Sequence, residues 1–202
     1  MHQLSDRTMK SCNPNPAPPV SFEELESRQL FAAGGPTSAP PITTPIAHAK
    51  LILQGTTARD NIAVDVKRGY LHWFLNGVTK RYNIARVGGI QIYGLNGNDT
   101  IKVGDGAPGV FIDGGGHNDT IVGGLGNDTI NGNAGNDKIT GREGDDRIDG
   151  GKGRDDINGG IGQDNIKVAD VEVDVVDGGD DFDTASLDLQ DLFSAVERRL
   201  YP

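Results

Sequence analysis

The sequence predicts an all-β protein, a parallel β-solenoid, on three observations. A nine-residue period with Gly first, Gly fourth, Asp sixth and Ile eighth runs unbroken from Gly123 to Lys167. Glycine is abundant, at 30 of 202 residues, and only 35% of the chain is hydrophobic, too little for a thick conventional core.

The five strict copies are GGLGNDTIN, GNAGNDKIT, GREGDDRID, GGKGRDDIN and GGIGQDNIK. Weaker copies occupy 94–102, 114–122 and 178–186, and residues 55–63 keep Asp60 and Ile62 in phase. The polar-Ile-polar unit turns one apolar side chain inward and two polar ones outward, as a short strand does. The other six residues are expected to be turn, with glycines supplying positive φ. Two repeats then make a flattened right-handed coil of about 18 residues, and the Ile side chains of stacked coils meet in a thin interior.

Ahead of the repeats, residues 48–93 predict a small N-terminal β cap, from the strand-like runs KLIL, NIAVDVK, YLHWFL and VTKRYNI. Arg68-Gly69 and Asn76-Gly77 supply tight hairpin turns. Tyr70, Trp73 and Phe74 read as a hydrophobic plug over the first coil, with a sugar-binding cluster as the lesser alternative. Residues 34–47, with four prolines among small residues, predict an extended linker. Residues 187–202 predict a C-terminal cap, as an amphipathic helix or as a last strand ending at Val196.

Stacking places the sixth-position carboxylates of alternate repeats side by side at the roughly 4.8 Å strand spacing. One edge gathers Asp119, Asp137 and Asp155; the other gathers Asp128, Asp146 and Asp164. At an effective dielectric near 20, neighbouring unit charges at that distance repel by roughly 3.5 kcal/mol. A divalent cation between the turns relieves this, and Ca²⁺ is the expected one because it accepts six to eight oxygen ligands in flexible geometry. Asp99 and Asp183 are candidate ligands in the flanking copies. Asp145 and Asp156 adjoin ligand positions and are expected in solvent.

Other chemistry is poorly supplied. The formal net charge is -10, which argues against nucleic acid as a partner. No run approaches a membrane span. Cys12 has no partner in the chain, and His2, His48, His72 and His117 share no metal-ligand spacing; neither HExxH nor CxxC occurs. Too little chain lies outside the repeats for a catalytic domain, so no enzyme activity is expected. Residues 48–93 carry seven Lys/Arg and two Asp/Glu, whereas 168–191 carry nine Asp/Glu and no Lys/Arg. That polarity raises the alternative of weak self-association as an assembly subunit; a fragment of a larger secreted hydrolase or toxin system is a further alternative.

The motif GGxGxDxUx, as it stands from Gly123 to Lys167, resembles the repeats-in-toxin (RTX) calcium-binding repeat over 94–186. The resemblance implies a parallel β-roll holding about four to six Ca²⁺ ions. It implies ligation by the sixth-position aspartates and by backbone carbonyls of the turns: Gly114, Gly123, Gly132, Gly141, Gly150 and Gly159, with Leu125, Ala134, Glu143 and Lys152. It also implies a secreted or cell-surface protein that folds after export, with cell-surface or matrix components as candidate partners. SFEELESRQLFAA, ending the 1–33 leader, resembles LEPR-type export segments through Leu25, Glu26, Arg28, Leu30 and Phe31, with Ser27 where Pro is usual. Four departures are expected to disturb their own turns. His117 and Asp181 stand at the fourth position, and 103–113 and 168–177 are longer than nine residues.

Overall fold

A computed structural model describes residues 49–168 and 170–200. The leader, the linker, Cys12, His2 and His48 lie outside the described residues. The described chain is a two-sheet parallel β-solenoid. One sheet stacks β1 (Ala49–Gln54), β5 (Val87–Tyr93), β7 (Val110–Gly116), β9 (Thr129–Ala134), β11 (Arg147–Lys152), β13 (Asn165–Lys167), β15 (Thr184–Ser186) and β17 (Arg198–Leu200) in that order. The other stacks β2 (Asn61–Lys67), β6 (Thr100–Val103), β8 (Thr120–Val122), β10 (Lys138–Glu143), β12 (Asp156–Ile161), β14 (Val175–Asp180) and β16 (Leu192–Ser194). The antiparallel hairpin β3 (Tyr70–Leu75) and β4 (Val78–Asn83) extends this second sheet beyond β2.

The interior follows from the eighth position of each repeat. Ile62, Ile101, Ile121, Ile139 and Ile157 pair rung to rung in one sheet, and Ile92, Ile112, Ile130, Ile148 and Ile166 in the other. All are at most 1% exposed. The rungs begin before the repeats, since β1 and β2 already pair in parallel with β5 and β6.

The strands are longer than the repeat suggests. β9 to β12 each run six residues, from the seventh position of one repeat to the third of the next, leaving three residues for the turn. The first- and second-position residues sit in the sheet because neighbouring rungs supply their backbone partners, a tertiary effect that single-repeat patterning does not register. The second position still takes positive φ, even at Asn133 (74°) and Arg142 (90°).

Both hairpin turns form as expected, with positive φ at Arg68, Gly69, Asn76 and Gly77. The proposed aromatic plug divides, because strand alternation separates its members. Trp73 is buried with Leu71 and Leu75, while Tyr70 points outward at 41% exposure. The tail after residue 187 is strand, β16 and β17, not helix. Its end strand carries Arg198 and Arg199, and Arg199 occupies the inward position opposite Ala185 with its guanidinium 4.0 Å from the Phe193 ring. At the opposite end Lys80 lies over Trp73 and Arg81 over Tyr70. Cations therefore cover both ends of the stack, and the acidic stretch 168–191 lies in the last coils beneath β17. No helix among the described residues is long and apolar enough to cross a membrane.

Candidate cation-binding turns

The turns carry two ladders of buried aspartates. In the first, the backbone N–H of Asp60 donates to Asp99 Oδ1, and the relation repeats from Asp99 to Asp119, Asp119 to Asp137, Asp137 to Asp155, Asp155 to Asp174 and Asp174 to Asp191, at 2.7–3.1 Å. In the second, Val110 donates to Asp128, Asp128 to Asp146, Asp146 to Asp164 and Asp164 to Asp183, at 2.8–2.9 Å. Asp183 N–H then donates to Glu197. Each carboxylate after Asp60 thus ties its own turn to the one before it. Every aspartate in both ladders is at most 7% exposed.

One oxygen of each carboxylate is used in this way. The other is left over. Oδ2 of Asp99, Asp119, Asp137, Asp146, Asp155, Asp164, Asp174 and Asp183 is buried without a hydrogen-bond partner. Three members differ. Asp60 Oδ2 accepts from Thr56 N–H and Asp191 Oδ2 from Asp188 N–H, so both ends of the first ladder are closed by protein donors. Asp128 Oδ2 accepts from Gly124 N–H at 2.6 Å. That turn faces the long 103–113 segment, where Val110 replaces an aspartate and Arg142 reaches across to Asp105 at 2.9 Å.

The first-position glycines make room for these carboxylates. A Cβ on Gly114 would stand 2.7 Å from Asp119 Oδ2 and 3.1 Å from the Gly132 carbonyl oxygen, and one on Gly132 would stand 2.5 Å from Asp137 Oδ2. Gly123, Gly141, Gly150 and Gly159 are placed likewise against Asp128, Asp146, Asp155 and Asp164. Carboxylate and carbonyl oxygens therefore converge at Gly114, Gly123, Gly132, Gly141 and Gly159, whereas Gly150 meets the Asp155 carboxylate and apolar side chains. Leu125, Ala134, Glu143 and Lys152 lie at the third position, immediately before the turn, and the Lys152 carbonyl accepts Gly135 N–H at 2.9 Å. Among the described residues no trio of His, Cys, Asp or Glu converges in metal-ligating geometry, so a cation here has to draw on backbone oxygen as well. The leftover carboxylate oxygens and adjacent carbonyls are the hard oxygen donors that Ca²⁺ takes.

Burial dominates the electrostatics. It pushes the carboxyls of Asp119, Asp146 and Asp155 up to about 7 and those of Asp99, Asp137, Asp164 and Asp174 up to about 6. The N–H donated from the preceding turn opposes the rise in each, and for most of them neighbouring carboxylates add to it less than burial does. This corrects the emphasis on repulsion between rungs: removal from water is the larger penalty, because the carboxylates point into the coil.

His117 and Asp181 keep the fourth-position geometry, at φ 76° and 85°, so their turns persist under backbone strain. Asp145 and Asp156 are both exposed, as expected; Asp156 pairs with Lys138, and Asp145 accepts Gln163 N–H at 2.9 Å. It belongs to an outer ladder at the fifth position, with Asn118 and Asn136 capping the next turn in the same way. Sequence reasoning missed that ladder, and it also missed Asp174 and Asp191. The available signal was Asp-x-apolar-x, which Asp174-Val-Val-Asp177 and Asp191-Leu-Phe-Ser194 satisfy without the glycines.

Glycine turns, an isoleucine interior and twin ladders of buried carboxylates define a β-roll of the cation-binding class. Residues 91–107, 113–146 and 131–166 match the family model of the RTX calcium-binding nonapeptide repeat, in 4 copies, and this part of the chain is an RTX β-roll. No curated protein matches the chain.

Proposed function

We propose that this protein is an exported, non-catalytic calcium-binding roll that folds on binding Ca²⁺ and serves as a structural or adhesive module outside the cell. The observation that carries the reading is the set of buried Oδ2 atoms without partners. A buried acceptor left unmatched costs about 1–3 kcal/mol, more when charged. A handful of them equals the ~5–15 kcal/mol that holds a typical domain together.

A bound Ca²⁺ supplies the positive charge and the coordination that these oxygens lack. The proposed ligands are the carboxylates of Asp99, Asp119, Asp137, Asp146, Asp155, Asp164 and Asp183, joined by Asp174, whose Oδ2 is likewise buried without a partner. First- and third-position carbonyls complete each set. Successive aspartates with a leftover oxygen bound four inter-turn gaps in the first ladder, from Asp99 to Asp174, and two in the second, from Asp146 to Asp183. This supports about six ions, the upper end of the expected range. Asp128 contributes less, since Gly124 already occupies its second oxygen.

At the Kd of about 10⁻⁴ M seen for extracellular calcium modules, 1 mM Ca²⁺ stabilises by about 1.4 kcal/mol per site. The roll is then ordered outside the cell and open at cytosolic calcium. A calcium titration followed by far-UV circular dichroism tests this, with Mg²⁺ as the control. Cooperative gain of β signal with Ca²⁺ alone is the expected result. Full order in chelator at neutral pH would refute it.

A further inference from the structure

We propose that residues 49–93 hold their fold without calcium, with Asn76 and Thr56 taking the place of a cation at the first turn, and that this metal-free cap is the platform on which the calcium-requiring coils stack. The inference rests on the calcium reading above and adds where order begins.

Asp60 heads the first ladder and is 2% exposed, yet the protein itself supplies both of its oxygens. Oδ2 accepts Thr56 N–H at 2.5 Å, and the Thr56 hydroxyl lies 3.1 Å from each oxygen. Oδ1 accepts from the Nδ2 amide of Asn76, in the turn of the β3–β4 hairpin. Asn76 is itself fixed: its Oδ1 accepts Asn61 N–H at 2.8 Å and its N–H donates to the Asn61 carbonyl at 3.1 Å. The hairpin amide thus stands where Asp99, Asp119 and Asp137 each receive the N–H of the preceding turn.

The interior differs in the same direction. Residues 50–93 bury nine apolar side chains, among them Leu51, Leu53, Val64, Leu71, Trp73 and Leu75, and one carboxylate, that of Asp60. Residues 123–167, a stretch of nearly equal length, bury five Ile and five Asp. Apolar burial stabilises without metal. A buried carboxylate with an unmatched oxygen costs stability until a cation meets it. The one buried side-chain atom without a partner in the cap is Trp73 Nε1, a neutral donor.

In the second sheet the cap also presents a single growing edge. Strands β3 and β4 cover one side of β2, and Lys80 and Arg81 on the outer strand oppose further pairing there. The other side of β2 takes β6, where Asp60 N–H donates to Asp99 and the Asp60 carbonyl accepts Thr100 N–H at 2.9 Å. In a stack whose rungs contact only their neighbours, a preformed first rung lowers the cost of adding the next.

Trp73 is the chain's single tryptophan and is 1% exposed, so its fluorescence reports on the cap. The full chain is measured in chelator at neutral pH and again with Ca²⁺, by Trp73 emission, acrylamide quenching and far-UV circular dichroism. In chelator Trp73 should be shielded and become quenchable in a cooperative urea transition, while most of the β signal is missing and returns only with Ca²⁺. Asn76→Asp tolerates the turn's φ of 46° and still accepts Asn61 N–H, but it replaces the donor to Asp60 by a second anion. It should lower the cap's folded-to-unfolded ratio in chelator on the order of tenfold, and Ca²⁺ should restore it, a rescue that a merely structural fault would not show. Trp73 as open to quencher in chelator as in urea, a urea midpoint unmoved by Asn76→Asp, or a loss that Ca²⁺ leaves in place overturns the proposal. A full β signal in chelator, or one that Ca²⁺ does not raise, instead sinks the calcium reading and the proposal with it.

Discussion

Replacing Asp146 by Asn should stabilise the metal-free roll and shrink the stability that calcium adds to it. Asp146 is 2% exposed; its Oδ1 accepts Asp128 N–H at 2.8 Å and its Oδ2 has no partner. In Asp146→Asn the Oδ1 contact survives, and a neutral NH₂ replaces the unmatched anionic oxygen. Without metal this relieves about 1–3 kcal/mol of uncompensated burial. With Ca²⁺ at about 1 mM, the same change removes a charged ligand from the gap between the Asp146 and Asp164 turns. At about 1.4 kcal/mol per site, the stability that calcium adds falls by about that amount. For a domain of this size 1 kcal/mol moves Tm by about 2–4 °C. The melting temperature should therefore rise by about 2–12 °C in chelator, while the further rise on adding calcium shrinks by about 3–6 °C. Thermal melts read by circular dichroism measure both, with an excluded osmolyte present throughout so that the metal-free roll is populated. A calcium-induced rise as large as the parent's, or no rise in chelator, would refute the assignment of Asp146 as a ligand held at the expense of the empty fold.

Acid should replace calcium in part. The carboxyls of Asp119, Asp137, Asp146 and Asp155 are raised to about 6–7 in the fold, above the usual carboxylate value, so their protonated forms favour folding. That stability is fully present below the unfolded pKa of about 3.9 and is lost as pH rises through 6–7. The β signal in chelator should consequently grow between pH 8 and pH 5, while calcium affinity declines over the same interval; a flat chelator profile would contradict it. Gly132→Ala should lower stability by about 1–3 kcal/mol in denaturant melts, because its methyl enters the space of Asp137 Oδ2. His117→Gly should raise stability by about 0.5 kcal/mol, the relief of a left-handed φ of 76° less the added freedom of the unfolded chain.

The strongest sequence signals were those repeated at one spacing. Ile at the eighth position and Asp at the sixth recur so regularly that rung pairing and both ladders can be laid out from 114 to 167 without coordinates. Strand alternation and Gly-rich turns are local physics, and each repeat states them again. Asp174 and Asp191 were hidden because their turns contain no glycine pair. The short strands that follow them still reach the stack through Val176 and Phe193, which pair with Ile157 and with each other.

By itself, then, the amino-acid order determined the parallel solenoid, its isoleucine interior and a need for positive charge in the turns, because periodic patterning constrains every rung alike. Only the tertiary structure decided how each carboxylate divides its oxygens. One goes to the preceding turn's N–H and the other to a buried space without a donor, a division that depends on atoms about 18 residues away along the chain. It likewise decided that burial outweighs repulsion, and that cationic side chains close both ends of the stack. Those outcomes arise from distance and solvent exclusion between rungs, which no single repeat contains.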